Sequence, residues 1–177
     1  MKPFIISITG AHSGCGKTFV AEKVLSGIDL KWGAVKYTKT ALYSSITDNE
    51  TIIRNEGKDT CRMRDAGADS VQWIKSPEED LDELLDIAIG RLADLEGIII
   101  EGNSPARTIS PDVVLFVFGD DPEVVKDTAK PLIERADYII YKDKPSIKTA
   151  SKMYNKYSDK ELEFMIDDLK KRLKLER

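Results

Sequence analysis

Residues 4–18 read FIISITGAHSGCGKT, an apolar run that breaks into a glycine-rich turn ending in Gly-Lys-Thr. The pattern predicts a buried strand, a turn and then the start of a helix. Backbone N–H groups exposed by such a turn attract an anion, and so does the positive end of the helix. A turn that only joins a strand to a helix is the alternative interpretation. The strand, the Lys-Thr pair and the following amphipathic segment together favour a phosphate-binding loop.

The side chains of this loop suit the phosphates of a nucleotide. Lys17 is expected to reach the β- and γ-phosphates, and the Thr18 hydroxyl is expected to bind Mg²⁺. The strict spacing puts Ala11 where the first glycine usually stands, so we expect the turn to use Gly10 instead. Contacts to a nucleotide, GTP or ATP, are predicted for Gly10, His12, Ser13, Gly14, Cys15, Gly16, Lys17, Thr18 and Phe19.

Composition limits the class of protein. The chain has 177 residues, of which 41% are hydrophobic, and this predicts a single compact domain over residues 1–177. A net charge of −4 gives no electrostatic footprint for nucleic acid or for an anionic membrane. Two cysteines without C-x-x-C spacing indicate neither a zinc site nor a disulfide framework. With no basic leader and no apolar stretch of about 18 residues, we expect a cytoplasmic protein.

Short apolar runs alternate with amphipathic segments along the chain. This alternation predicts an α/β fold with a mostly parallel sheet, and the phosphate-binding loop at the carboxyl end of its first strand. The predicted strands are 5–8, 32–37, 70–74, 98–100, 113–118 and 138–141. The predicted helices are 17–25, 58–66, 76–92 and 158–177, with a segment 123–135 interrupted by Pro131 and a long polar loop over 38–57.

Two charged residues stand at the ends of predicted strands. Glu101 ends the run Ile98–Ile100, where it would lie beside the phosphate-binding loop and could position Mg²⁺ or water. Lys36 ends the second strand and could meet a phosphate or an acidic substrate group. The alternative for both is a solvated charge at a strand end.

A third group of charges follows Gly57. Lys58, Asp59 and Arg62 lie at the start of a predicted short helix. They could bind a second anionic ligand, with Asp59 free to act as a base or a metal ligand. A charged surface helix explains the same residues from chemistry alone.

In their order along residues 1–105, these motifs resemble those of molybdopterin-guanine dinucleotide biosynthesis protein B, the MobB family. Its most specific part is Gly-Lys-Asp-Thr-x-Arg over residues 57–62, followed by Ala-Gly-Ala over residues 66–68. The resemblance implies a three-layer P-loop NTPase fold that binds GTP with Mg²⁺, hydrolyses it weakly and forms a homodimer. Such a protein assists the guanylyltransferase that attaches GMP to molybdopterin.

On this basis each candidate residue has an expected role. Lys17, Glu101 and Asp59 are the catalytic candidates, Thr18 and Glu101 the metal ligands, and Lys36, Lys58 and Arg62 the residues for a second substrate. The chain departs from the family where Tyr37, Thr38 and Lys39 replace histidines. Residues 137–144 stand where a related GTPase carries Asn-Lys-x-Asp, and Tyr141 replaces the asparagine, so the choice between ATP and GTP stays open.

Two alternatives come from the same residues. The loop, Lys36 and the Glu-Gly pair at 101–102 are also similar to dethiobiotin synthetase, which implies an ATP-dependent small-molecule kinase or ligase. By that resemblance Lys36 would hold the transferred phosphoryl group and Glu101 the metal. A nucleotide-switched adaptor, in which the loop 38–57 changes order with the γ-phosphate, is the other alternative.

Overall fold

A computed structural model describes residues 2–174 of the chain. Its eight strands form one sheet in the order β3-β4-β2-β5-β1-β6-β7-β8, and every neighbouring pair is parallel except β3 and β4. The strands are β1 Phe4–Gly10, β2 Trp32–Lys39, β3 Ser45–Thr47, β4 Ala68–Ser76, β5 Gly97–Glu101, β6 Val113–Val117, β7 Tyr138–Tyr141 and β8 Lys152–Asn155. The helices are α1 Lys17–Gly27, α2 Glu50–Ile53, α3 Asp59–Asp65, α4 Leu81–Arg91, α5 Pro105–Thr108, α6 Lys130–Glu134 and α7 Asp159–Arg172.

The central strand β1 shows why the sheet is covered on both faces. Ile6 and Ile8 pack with α1, α3 and α7 on one face, whereas Ile5 packs with α4 on the other. Alternate residues of a strand point to opposite faces, and β1, which is buried along six of its seven residues, therefore needs two covering layers. The predicted three-layer α/β fold is confirmed, as are all six predicted strands.

Several segments differ from the sequence-based prediction. The polar stretch 38–57 contains β3, which pairs antiparallel with the end of β4, and the short helix α2. Only Lys130–Glu134 is helical within 123–135, because Pro131 is accommodated in the first turn, where its missing N–H costs nothing. Strand β8 was not predicted.

The helix predicted over 76–92 begins later than its sequence suggests. Ser76 remains in β4, paired with Lys39 of β2, and its carbonyl accepts a hydrogen bond from Thr40 N–H. A 3₁₀ turn at Glu78–Asp80 then leads into α4. Sheet pairing thus keeps the serine extended where its sequence context favours a helix cap.

The last helix packs as its apolar pattern predicts. Its apolar face is buried against α1 and β8: Leu162, Met165, Ile166, Leu169 and Leu173. Ser158 caps the helix by accepting a hydrogen bond from the backbone N–H of Glu161. The predicted end at Arg177 lies outside the described residues. None of the described helices combines the length and apolar character that crossing a bilayer requires.

Candidate functional site: a phosphate-binding loop between two charged clusters

The loop between β1 and α1 uses glycine for two different reasons. Gly14 and Gly16 have φ values of +78° and +102°, a region that other residues rarely adopt. Gly10 has ordinary φ, but a Cβ there would collide with the Cys15 side chain and with the Val117 carbonyl at 2.9 Å. The chain therefore needs glycine at position 10, one position before the place where the motif usually has its first glycine. Ala11, which stands at that usual place, is small and fully buried.

The start of α1 brings the two motif side chains into the cleft. Gly16 occupies the N-cap position and has no side chain to satisfy the N–H groups of the first turn, which leaves them available to an anion. Lys17 Nζ donates to the His12 carbonyl over 2.9 Å, and it therefore lies across its own loop. Thr18 Oγ1 donates to Glu101 Oε2 over 2.9 Å, although 83 residues separate the two positions.

Three charged side chains meet beside this loop, at Lys36, Asp59 and Glu101; we call them the Lys36 cluster. Lys36 and Glu101 are paired in register on β2 and β5, so both side chains leave the sheet at the same point. Lys36 Nζ lies 2.6 Å from Asp59 Oδ2 and 2.5 Å from Glu101 Oε1. The Glu101 side chain is 2% exposed, compared with 40% for Asp59. The alternative of two solvated strand-end charges is therefore wrong for Lys36 and Glu101.

The Lys36 cluster shifts the pKa values of two of its members. Burial alone would lower the pKa of Lys36, but the charges of Glu101 and Asp59 outweigh it and raise that pKa. Burial would likewise raise the pKa of Asp59, yet the hydrogen bond and charge of Lys36 hold it below the ordinary value of 3.8. The lysine therefore stays charged, and Asp59 is ionised at neutral pH.

A cleft of about 160 Å³ joins the loop to the Lys36 cluster. The residues that line it are Ser13, Gly14, Gly16, Lys17, Thr18, Phe19, Lys36, Asp59, Arg62 and Glu101. Arg62 is held by two hydrogen bonds of 2.7 Å to the carboxylate of Glu22 on α1. Lys58, in contrast, is exposed and does not line the cleft. The cleft thus brings together most of the predicted site residues, but Gly10, His12, Cys15 and Lys58 do not line it.

The opposite side of the loop forms a second cavity, of about 420 Å³. Its lining is His12, Gly14, Cys15, Gly16, Phe19, Asp120, Lys156 and Tyr157. His12 Nδ1 lies 2.7 Å from the Ser13 carbonyl, and its ring packs closely over Gly119. Cys15 is buried, whereas the Tyr157 ring is exposed. This cavity has the size of a ligand site and shares the loop with the cleft.

Sequence reasoning missed two residues that hold the loop. Asn103 exchanges two hydrogen bonds with Gly10, accepting from its N–H over 2.9 Å and donating to its carbonyl over 2.8 Å. Lys156 donates to the carbonyls of Cys15 and Phe118. The position of Asn103, two residues after Glu101, was a usable signal.

The chemistry of the cleft fits one divalent cation held partly by a ligand. Among residues 2–174, no three His, Cys, Asp or Glu side chains gather into a metal site. Mg²⁺, however, commonly takes one or two protein oxygens and completes its shell with phosphate and water. Thr18 and Glu101 supply two such oxygens next to the phosphate-binding loop.

No protein-family model and no curated protein matches the sequence, but solved structures match the fold. A MobB protein homolog from Bacillus stearothermophilus has a TM-score of 0.55 at 12% identity, over 94% of this chain and 98% of that one. HypB from Helicobacter pylori, solved with nickel, has a TM-score of 0.60 at 16% identity, over 99% and 90%. LpxK from Aquifex aeolicus, solved with ATP, has a TM-score of 0.55 at 18% identity; the match covers 88% of this chain and 54% of LpxK.

These similarities define the fold. The chain has the P-loop NTPase fold, and the predicted likeness to MobB is confirmed at that level. Identities this low leave substrate, partner and base preference to separate argument.

Proposed function

We propose that this chain binds a nucleoside triphosphate with Mg²⁺ in the cleft and hydrolyses it slowly, in a MobB-like role. One observation carries the proposal: the hydrogen bond between Thr18 and Glu101, formed beside the phosphate-binding loop and across 83 residues of sequence. A hydroxyl at the start of the first helix and a carboxylate on a neighbouring strand are the oxygen pair that Mg²⁺ needs beside a triphosphate.

Each residue of the cleft then has a chemical task. Lys17 leaves the His12 carbonyl and binds the β- and γ-phosphates, while the N–H groups of the loop and of the first turn of α1 surround them. Lys36 orients the γ-phosphate with its charge, and Glu101 orients an attacking water. Mg²⁺, when bound, neutralises the negative charge that develops on the phosphates.

The triphosphate lies between the two cavities in this proposal. Its γ end faces the Lys36 cluster, and the nucleoside extends into the cavity lined by Asp120 and Tyr157. The biological role in this proposal is assistance to a guanylyltransferase that attaches GMP to molybdopterin, by a homodimer of this chain. The order of the motifs and the shared fold with the MobB homolog support that role.

A second candidate, phosphoryl transfer to a small acceptor, is favoured by the far end of the cleft. Arg62 lines it beyond Lys36 and supplies the positive charge that an acidic acceptor next to the γ-phosphate needs. The lowered pKa of Asp59 makes it a weak base at neutral pH, which suits an acceptor that is already ionised.

The decisive experiment is a calorimetric titration of the protein with Mg-ATP and Mg-GTP in parallel, with Lys17→Ala as the matched variant. We expect binding of at least one nucleotide by the natural chain and none by the variant. A preference for GTP supports the MobB-like role, whereas a preference for ATP favours the kinase or ligase. Equal binding by Lys17→Ala would contradict the proposal.

A further inference from the structure

Lys156 is a buried lysine whose partners are mainly backbone. It follows β8, and its side chain is 5% exposed. Its Nζ donates to the Cys15 carbonyl over 3.1 Å and to the Phe118 carbonyl over 3.2 Å, and it pairs with Asp120 Oδ1 over 3.2 Å. An ammonium has three N–H donors, and here three acceptors match them. Such an arrangement fixes the ammonium in place, because no donor remains free to turn toward a new partner.

The contact to Cys15 acts on a peptide group of the phosphate-binding loop. The carbonyl of Cys15 and the N–H of Gly16 belong to one planar trans peptide, so they point in opposite directions. Holding the carbonyl toward Lys156 therefore turns the Gly16 N–H toward the other side of the loop. The positive charge on the carbonyl also polarises the peptide and strengthens that N–H as a donor.

The conformation of the loop makes such support necessary. Gly16 has φ of +102° and also occupies the N-cap of α1, so two different backbone conformations meet at one flexible residue. Lys156 reaches this residue from 140 positions away in sequence and lies beside its Cα. It also ties the loop to the end of β6 through Phe118. The lysine thus anchors the peptide that precedes the flexible residue Gly16.

We propose that Lys156 is a positioning residue for triphosphate binding: it orients the Cys15–Gly16 peptide so that the Gly16 N–H faces the phosphates. The inference rests on the proposed function and deepens it. It differs from a contact between Lys156 and the nucleobase, which the neighbouring Tyr157 and the second cavity would also permit. The two roles separate with a ligand that has phosphates and no base.

The test measures binding of Mg-tripolyphosphate, Mg-ATP and Mg-GTP to the natural chain and to Lys156→Met. We expect the variant to lose affinity for tripolyphosphate and for the preferred nucleotide by the same factor, roughly tenfold to a hundredfold, as for one lost charge-assisted hydrogen bond. Lys142→Met is the matched control, because Lys142 lies 3.4 Å from the same Asp120 carboxylate but makes no hydrogen bond to the loop. Its affinity should stay close to that of the natural chain.

Two results would assign the effect of Lys156→Met to another cause and so overturn the inference. If Lys156→Met binds tripolyphosphate normally and loses only nucleotide affinity, the lysine contacts the base. If Lys142→Met loses as much as Lys156→Met, the effect is one of charge alone. Lys156→Gln, which keeps N–H donors without charge, should restore part of the affinity and provides a second variant if the methionine protein folds poorly.

A spectroscopic readout separates positioning from general stability. The amide proton resonance of Gly16 in the ligand-free protein should shift in Lys156→Met and stay unchanged in Lys142→Met.

Failure of the proposed function gives a different result. The natural chain would then bind none of the three ligands, and both proposals would be contradicted together. Normal binding by the natural chain and by Lys156→Met, with none by Lys17→Ala, would remove only this inference.

Discussion

The two lysines on either side of the phosphate-binding loop differ in the partners that hold them. Lys36 is held by the carboxylates of Asp59 and Glu101, whereas Lys156 is held by two backbone carbonyls and one exposed carboxylate. Carboxylates on separate side chains can exchange a lysine for a cation or release it to a phosphate. Lys156 is 5% exposed and its three N–H donors are already matched by three acceptors, so it has no donor to offer a phosphate. We infer that the Lys36 side of the loop can rearrange during a reaction and that the Lys156 side holds the loop still.

The largest expected effect comes from removing the lysine whose partner is buried. Lys36→Met leaves the Glu101 carboxylate buried without its lysine partner, with Thr18 as its remaining hydrogen-bond donor. We expect the free energy of unfolding to fall by about 3–5 kcal/mol, the usual cost of breaking a buried ion pair. Lys156→Met should cost less, about 1–3 kcal/mol, because its carboxylate partner Asp120 is exposed and the main loss is donors to two carbonyls. Denaturant unfolding of both variants measures the difference.

A double variant controls for the nature of the Lys36 effect. Lys36→Met combined with Glu101→Gln has no uncompensated buried charge and should regain most of the lost free energy of unfolding. If Lys36→Met lowers the free energy of unfolding no more than Lys156→Met does, the two lysines are held equally strongly and the two sides of the loop do not differ.

The next largest effect is on the rate of nucleotide hydrolysis, and it again comes from a residue of the Lys36 cluster. Glu101→Gln keeps the shape of the side chain and removes the charge that would help to hold Mg²⁺ and orient water. We expect phosphate release at saturating Mg-nucleotide to fall by about 100-fold, a typical cost of one lost electrostatic contact to a reacting group. The steady-state rate of inorganic phosphate release measures it.

The matched control removes an acid far from the cleft. Glu83 is exposed on α4 and lines neither cavity, so Glu83→Gln should hydrolyse nucleotide at the rate of the natural chain. Unchanged hydrolysis in Glu101→Gln would show that this carboxylate has only the structural task of balancing Lys36.

The same contrast explains which half of the site could be predicted from the sequence. Lys36 follows four consecutive buried residues of β2 and Glu101 ends the buried strand β5, and parallel strands bring their carboxyl ends together at one edge. The loop glycines could also be predicted, because a backbone that wraps around a phosphate needs glycine at its turns. Both signals are local in sequence, and together they are enough to predict that Lys36 and Glu101 lie beside the phosphate-binding loop.

Lys156 had no comparable signal. Strand β8 lies at the edge of the sheet and buries one of its four residues, Tyr154, so its sequence carries no apolar run. Its partners Cys15 and Phe118 contribute backbone carbonyls, which every residue has and which no side-chain pattern can mark. Strand β3 was missed for a similar reason, because its three residues are half-buried and depend on pairing with β4.

The smallest predicted effect tests whether Asp59 is the exchangeable partner of Lys36. Because the pKa of Asp59 is lowered in the folded protein, its ion pair stabilises the fold above that pKa and is lost as pH falls through it. Asp59→Asn should therefore be less stable than the natural chain at neutral pH, and the difference should vanish as pH falls below the ordinary aspartate value of 3.8. We expect a difference below about 1 kcal/mol, because the carboxylate is half exposed and solvent screens it. Denaturant midpoints between neutral and acid pH measure the difference. Lys36 can turn toward a phosphate only if its ion pair with Asp59 contributes little to the stability of the fold. A larger difference that persists in acid would therefore contradict the comparison, because Asp59 would then be held as firmly as the partners of Lys156.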